Sequence, residues 1–230
     1  MQLGHPLGDA IFSWFSHGLN IEKFHLVGHS LGAQLAGVVG RQVIFRSFGK
    51  TRLPRISGLD PAHPPFFPPN PPVFTPLNRF DARFVDIVHT DAGFYGFPKA
   101  TGHVDFWPNG GTTLQPGCPR RNFKPLTANG KDFRMAVPLG SFINCFPSIS
   151  DLCSHRRSWR YWAESVSATE ETAFLSRSVR CLHGFACRSL RATTFVQMGI
   201  NTASDVRGNF FLATNEAPPY SRGIDGAQNN

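Results

Sequence analysis

The chain has no C-x-x-C pair, no apolar run near the roughly 18 to 20 residues that span a bilayer, and no RNP, zinc-finger or helix-turn-helix pattern. These absences set aside paired-cysteine zinc sites, transmembrane segments and the common nucleic-acid modules. A secretory leader is missing too: Met1 is followed by Gln2-Leu3-Gly4-His5-Pro6, with no basic start, apolar stretch or small-residue cleavage site. Yet Cys118, Cys145, Cys153, Cys181 and Cys187, all in the second half, read as disulfide formers, which implies an oxidising compartment. Either the start of the protein is missing from this sequence or the cysteines are unpaired.

What is present suffices for one domain. The 230 residues are 41% hydrophobic, enough for one core with little left for a second. Phe dominates the aromatics with 22 copies, and 22 Gly and 19 Pro favour a compact fold with tight loops over a helical bundle. Lys and Arg number 23 against 15 Asp and Glu, a net charge of +8 that suits an anionic lipid surface or an acidic polysaccharide. The basic residues are spread along the chain, which ranks nucleic acid last among partners.

Ala10, Ile11, Trp14 and Phe15 recur at helical spacing within Gly8 to His17, with Gly18 placed to end the helix. Phe24 to Gly28 is a short apolar strand, and helical spacing returns from Ala33 to Phe48. Arg55 to Gly58 is the next strand, leading to Asp60, and eight prolines between Pro61 and Pro76 make a loop. Phe84 to His89 is a further strand, so strand and helix alternate as a parallel sheet requires. Residues 93–150 read as irregular, His155 to Val166 as helix, Cys181 to Cys187 as a cysteine-bounded loop, and Phe195 to Met198 and Asn209 to Leu212 as late strands. No internal repeat is visible.

Gly28-His29-Ser30-Leu31-Gly32 fits G-x-S-x-G, in which a strand turns sharply into a helix and exposes a nucleophilic serine. Both glycines are expected where a Cβ would collide. The Leu31 N–H and the positive end of the helix would face a developing oxyanion. A serine needs a base to take its proton and a carboxylate to orient that base. Asp60 ends the strand after the nucleophile helix and is the first choice for the acid, with Asp86, Asp91 and Asp105 as competitors. For the base, His155 at the start of a helix competes with His17, His25, His29, His89 and His103.

These residues sit in strings that resemble the animal pancreatic-lipase family: VGHSLGAQLAG around Ser30, ISGLDPA around Asp60, DARFVDIVHTDAG from Asp81, GHVDFWPNGG from Gly102, QPGCP at Cys118, CSHRRSWRYWAES around His155, and RGNFFLATNEAPPYSRG near the end. The resemblance covers nearly the whole chain. It implies an α/β-hydrolase fold, a mostly parallel sheet with flanking helices. Ser30, Asp60 and His155 become the catalytic triad of a secreted, extracellular enzyme that cleaves lipid esters, triacylglycerol or phospholipid. It further implies a Cys118–Cys153 disulfide at the base of a lid over about 119–152, a local Cys181–Cys187 bridge, and a Cys145 left unpaired in the lid. Phe123, Phe133, Met135, Phe142, Ile143 and Phe146 among Arg120, Arg121, Lys124 and Arg134 suit that lid to a lipid–water interface. The loop from Gly93 to Thr101 is short, as in phospholipase A1 and many insect members.

The sequence departs from the family in three places. Pro76, Asn78 and Arg79 stand where the family's calcium loop needs acidic ligands, and only Asp81 fits, so no calcium and no other cofactor is expected. The segment Arg41 to Arg52 is longer than usual. The amino-terminal strands and the His-Gly loop that supplies the second oxyanion donor are not in the sequence, which reads as a partial catalytic domain over 1–223 with a disordered tail over 224–230. The alternative from another class is a non-catalytic lipid-binding or yolk-storage protein on the same fold.

Overall fold

The computed structural model describes residues 3–63, 75–119, 152–182, 186–189 and 195–228. Strands β1 (His25–His29), β2 (Arg55–Leu59), β3 (Phe84–Val88), β4 (Val104–Pro108) and β8 (Gly208–Leu212) run parallel in that spatial order. β5 (Phe174–Leu182) then adds to β8 antiparallel, and β6 (Ala186–Ser189) and β7 (Val196–Met198) pair antiparallel with β5. Helices α1 (Gly4–Ser16) and α2 (Leu31–Arg46) are joined in sequence by a short 3-10 turn and β1, while α3 (Cys153–Val166) and α4 (Gly223–Gln228) come late. This is the mostly parallel, helix-flanked sheet of the expected α/β-hydrolase class. No helix among the described residues is long and apolar enough to cross a membrane.

Two apolar clusters lie on the sheet. One joins Ile11 of α1 and Ala33, Ala36, Val39 and Val43 of α2 to Ile56, Val85 and Ile87. The other joins Tyr161 of α3 to Leu59, Phe84, Val88, Val104, Phe106 and Phe210. Alternate residues of β3 thus enter different clusters, as the two-residue period of a strand buried on both faces demands.

The early elements match their expected places to within a few residues. α1 starts earlier than periodicity indicates, because His5 bonds Gln42 at 2.8 Å and Gln42 donates to Asp9 at 2.6 Å, and these contacts with α2 outweigh the poor helix propensity of the glycines. β4 falls inside the stretch read as irregular. Asp105 sits mid-strand and is 2% exposed, so a buried charge interrupted the apolar run that would have marked the strand. The cysteine-bounded loop is a hairpin in which Cys181 and Cys187 are backbone partners across β5 and β6. Where a disordered tail was expected from 224, α4 reaches Gln228 with Ala227 fully buried.

A polar chain crosses the first three strands. His25 donates from Nε2 to Ser57 Oγ at 2.8 Å, Ser57 donates to Asp86 Oδ1 at 2.7 Å, and Arg55 donates to both Asp86 oxygens at 2.8 and 3.0 Å. Burial, and then the Arg55 charge, push the His25 imidazole from the ordinary 6.5 down to about 4. A folded-state pKa below the unfolded one means the unfolded chain binds more protons between these values. Stability from this group is therefore present above about pH 6.5 and is lost as pH falls towards 4. Urea unfolding should show a lower midpoint at pH 5 than at pH 7, and His25→Gln should flatten that difference.

Candidate active site

The carboxyl ends of β1 and β2 place Ser30 and Asp60 side by side. Ser30 N–H donates to the Leu59 carbonyl at 3.0 Å, and the Ser30 carbonyl accepts from Ala33 at 3.1 Å and from Ala62 at 3.1 Å, so the turn is bonded directly to the loop after Asp60. Ser30 has φ 57° and Asp60 φ 44°, left-handed conformations that L side chains adopt at a cost of about 1 to 3 kcal/mol and that concentrate at functional sites. At Gly28 an added Cβ would lie 2.3 Å from the Gly32 carbonyl oxygen, so only glycine fits there. Gly32 is different. A Cβ there would have open space, which corrects the expectation that both glycines are sterically required.

Asp60 is fully buried, and both of its carboxylate oxygens have partners. Oδ1 accepts the N–H groups of Thr90 and Asp91 at 2.9 and 3.1 Å, and Oδ2 lies 2.6 Å from His155 Nδ1. His155 stands in the first turn of α3, two residues after Cys153, and is 4% exposed. Cys118 and Cys153 form a disulfide. His29 donates from Nε2 to the His155 carbonyl at 3.1 Å, and Ser158 donates to the same oxygen at 3.0 Å. Burial, followed by the neighbouring His155 charge, holds the His29 pKa below its ordinary value, so His29 supports the helix that carries His155 in its neutral form at pH 7.

Ser30, Leu31 and His155 open on one cavity of about 390 Å³, whose wall includes His29, Tyr95, Arg156 and Trp159. Among the described residues no hydrogen bond links the Ser30 hydroxyl to His155; the two share the cavity wall. Such contacts are often long before substrate binds. Leu31 opens α2, where the first backbone N–H groups have no intrahelical acceptor.

The competing residues have other partners. Asp86 holds Arg55, Asp105 holds His89 at 2.8 Å, Asp91 contributes its N–H to Asp60, and His103 accepts the Val85 N–H at 3.0 Å. His17, exposed just past the end of α1, bonds the Ser13 carbonyl. Sequence reasoning missed Gln34, which is 1% exposed, donates to the Ala62 carbonyl at 2.7 Å and accepts from Leu77 N–H at 2.8 Å. A polar residue on the buried face of α2 was the available signal.

The residues at the expected calcium loop do not suit a divalent cation. Asp81 Oδ2 takes the Arg41 guanidinium at 2.8 Å and the Asn78 N–H at 2.9 Å, and Arg41 also binds the Thr75 carbonyl. A side-chain cation thus occupies the carboxylate. Asp60, Asp91 and His155 are close enough to chelate a metal, but both Asp60 oxygens already accept hydrogen bonds. The lid and Cys145 lie outside the described residues, as do the side chains of Cys181 and Cys187.

A family model described as Lipase matches residues 9–220. The chain is 44% identical to lipase member H-B of Xenopus laevis over 181 residues, which is 79% of this chain and 30% of that protein. It is 39% identical to lipase member H of Rattus norvegicus over 57% of this chain and 27% of that one. Against the pancreatic triacylglycerol lipase of Myocastor coypus it is 29% identical over 89% of this chain and 43% of that one. The chain therefore spans less than half the length of these relatives.

The two turn glycines give a direct test. Gly28→Ala should destabilise the protein by roughly 1 to 3 kcal/mol through overpacking. Gly32→Ala, inside α2 with free space, should be neutral or stabilising by up to about 1 kcal/mol. Equal losses of both in urea unfolding would contradict this asymmetry.

Proposed function

Because the chain belongs to the lipase family, we propose that it hydrolyses carboxylic esters of lipids through an acyl-enzyme on Ser30. The observation that carries this reading is the 2.6 Å contact between His155 Nδ1 and Asp60 Oδ2, with both Ser30 and His155 on the wall of one cavity. Asp60 fixes the proton on Nδ1, which leaves Nε2 free to act as the base.

In the first half-reaction Ser30 Oγ attacks the ester carbonyl as Nε2 takes the serine proton. The tetrahedral oxyanion accepts a hydrogen bond from the Leu31 N–H at the start of α2. The carbon–oxygen bond to the alcohol then breaks, and Nε2 returns the proton to the departing alcohol. In the second half-reaction water attacks the acyl-serine, Nε2 takes and returns a proton in the same way, and the fatty acid leaves.

Leu31, 54% exposed, and Trp159, 41% exposed, rim the cavity and suit an acyl chain or a lipid–water interface, with Arg156 beside them for an anionic surface. The Cys118–Cys153 disulfide supports an oxidising, extracellular setting. A non-catalytic lipid-binding or storage role requires none of these contacts.

A fluorophosphonate should label Ser30 alone, and Ser30→Ala or His155→Ala should each lower ester hydrolysis by roughly 10⁶-fold, with Asp60→Asn closer to 10⁴-fold. Full activity in Asp60→Asn, alongside loss in a folded Asp86→Asn, would reassign the acid.

A further inference from the structure

A second buried histidine–carboxylate pair lies beside the first. His89, fully buried at the end of β3, places Nε2 2.8 Å from Asp105 Oδ1 and Nδ1 3.2 Å from the Phe97 carbonyl. Its ring lies flat on Trp107, with centroids 3.8 Å apart and planes 6° from parallel. Asp105 on β4 also accepts the N–H groups of Thr101 at 3.2 Å and Gly102 at 3.0 Å. One imidazole and one carboxylate therefore anchor the loop that runs from 90 to 102 at its middle, Phe97, and at its far end, Thr101 and Gly102.

That loop is what surrounds Asp60. Thr90 and Asp91, the next two residues after His89, supply both N–H groups to Asp60 Oδ1. Gly96 lies so close that a Cβ there would stand 2.3 Å from the same oxygen. Phe97 N–H donates to the Pro61 carbonyl at 2.7 Å, and His63 N–H donates to the Tyr95 carbonyl at 2.8 Å, which stitches the loop to the chain just after Asp60. The Tyr95 ring stands 5.7 Å from the His155 ring. Apolar side chains of similar volume often replace a buried charged pair without loss of stability. They could not direct hydrogen bonds to a loop carbonyl and two loop N–H groups at once.

We infer that His89 and Asp105 are positioning residues for the site, holding the 90–102 loop so that its backbone fixes the Asp60 carboxylate in the orientation that meets His155 Nδ1. The inference rests on the Ser30–His155–Asp60 reading for its consequence in catalysis, though not for its geometry. The pair touches no substrate. It acts through the Thr90 and Asp91 N–H groups and the Gly96 backbone, and its loss lets the carboxylate turn without removing any member of the triad. The charged and titratable groups around His155 itself are Asp60, Asp91, His29, Tyr95 and Arg156, and the pair alters none of them chemically.

The test uses the full chain with ¹⁵N-labelled histidine. The Nδ1–H of His155, held against a carboxylate, should give a low-field proton resonance, assigned by its disappearance in His155→Gln. Asp105→Asn and His89→Gln should move that resonance upfield or broaden it, and should slow fluorophosphonate labelling of Ser30 by about 10- to 100-fold, the scale of a misplacement near 1 Å. In an Asp60→Asn background the same changes should slow labelling by less than about twofold, since groups acting through one carboxylate are not additive. Should Asp105→Asn fail to fold, His89→Gln alone carries the test, because it removes the ring that meets the Phe97 carbonyl and leaves the Asp105 bonds to Thr101 and Gly102. A merely structural pair would lower the melting temperature and leave the resonance in place, and that result in folded variants overturns the inference, as does an undiminished effect in the Asp60→Asn background. A wild-type chain that is not labelled at Ser30, yet whose resonance responds to Asp105→Asn, would sink the hydrolase reading and keep the positioning role.

Discussion

The hydrogen bond between Asp60 and His155 joins residues 95 positions apart, and much of the local structure around it makes sense as a means of holding its two ends. A buried carboxylate keeps its charge only where donors replace lost water. Asp60 has three, two backbone N–H groups and one imidazole, and none of them can be supplied by the segment that carries Asp60 itself. The β3 end, the following loop and α3 must all be in place. The positive φ at Asp60 belongs to the same constraint, since the backbone has to turn sharply at the strand end for the carboxylate to face back across the sheet edge.

The two ends are held by different physics. On the Asp60 side apolar clusters pack on both faces of the sheet, and the sheet fixes the backbone through its ladder. On the His155 side the buried face of α3 is mostly polar: Ser154, His155, Arg157, Ser158, Tyr161 and Ser165. Arg157 donates to the carbonyls of Pro116 and Glu216, Tyr161 meets Gln115 and Thr214, and Glu164 accepts the N–H groups of Tyr220 and Ser221. Hydrogen bonds fix direction as well as distance, which is what keeping Nδ1 of His155 aimed at Asp60 requires.

Much of this was legible in the sequence, for identifiable reasons. The G-x-S-x-G turn, the strand leading to Asp60 and the helix read from His155 each combine a local pattern with a fixed place in the strand and helix alternation. Family resemblance, rather than spacing, singled out His155 and the Cys118–Cys153 pair. β4 and β5 escaped because Asp105 and Ser176 meet partners at other strands, His89 and Val196, that no local window contains. Gln34 and His89 were hidden in the same way, since a polar side chain announces its burial only when its partner is known. The apparent symmetry of the two turn glycines also failed, because the sequence carries no information about which Cβ direction is free.

The polar docking of α3 also shapes how the molecule comes apart. Separating that helix from the sheet would let its buried polar groups, Arg157 and Ser158 among them, bond water in place of their present partners, but it would also uncover the Tyr161 ring and the apolar sheet face packed against it. That apolar surface gives the opening a heat-capacity change of its own, so it becomes easier on heating by the same physics that unfolds the sheet. His155 could then leave Asp60 while the strand ladder stayed intact. In that regime the covalent tether at Cys153 governs how far α3 travels, and so how readily the site reassembles.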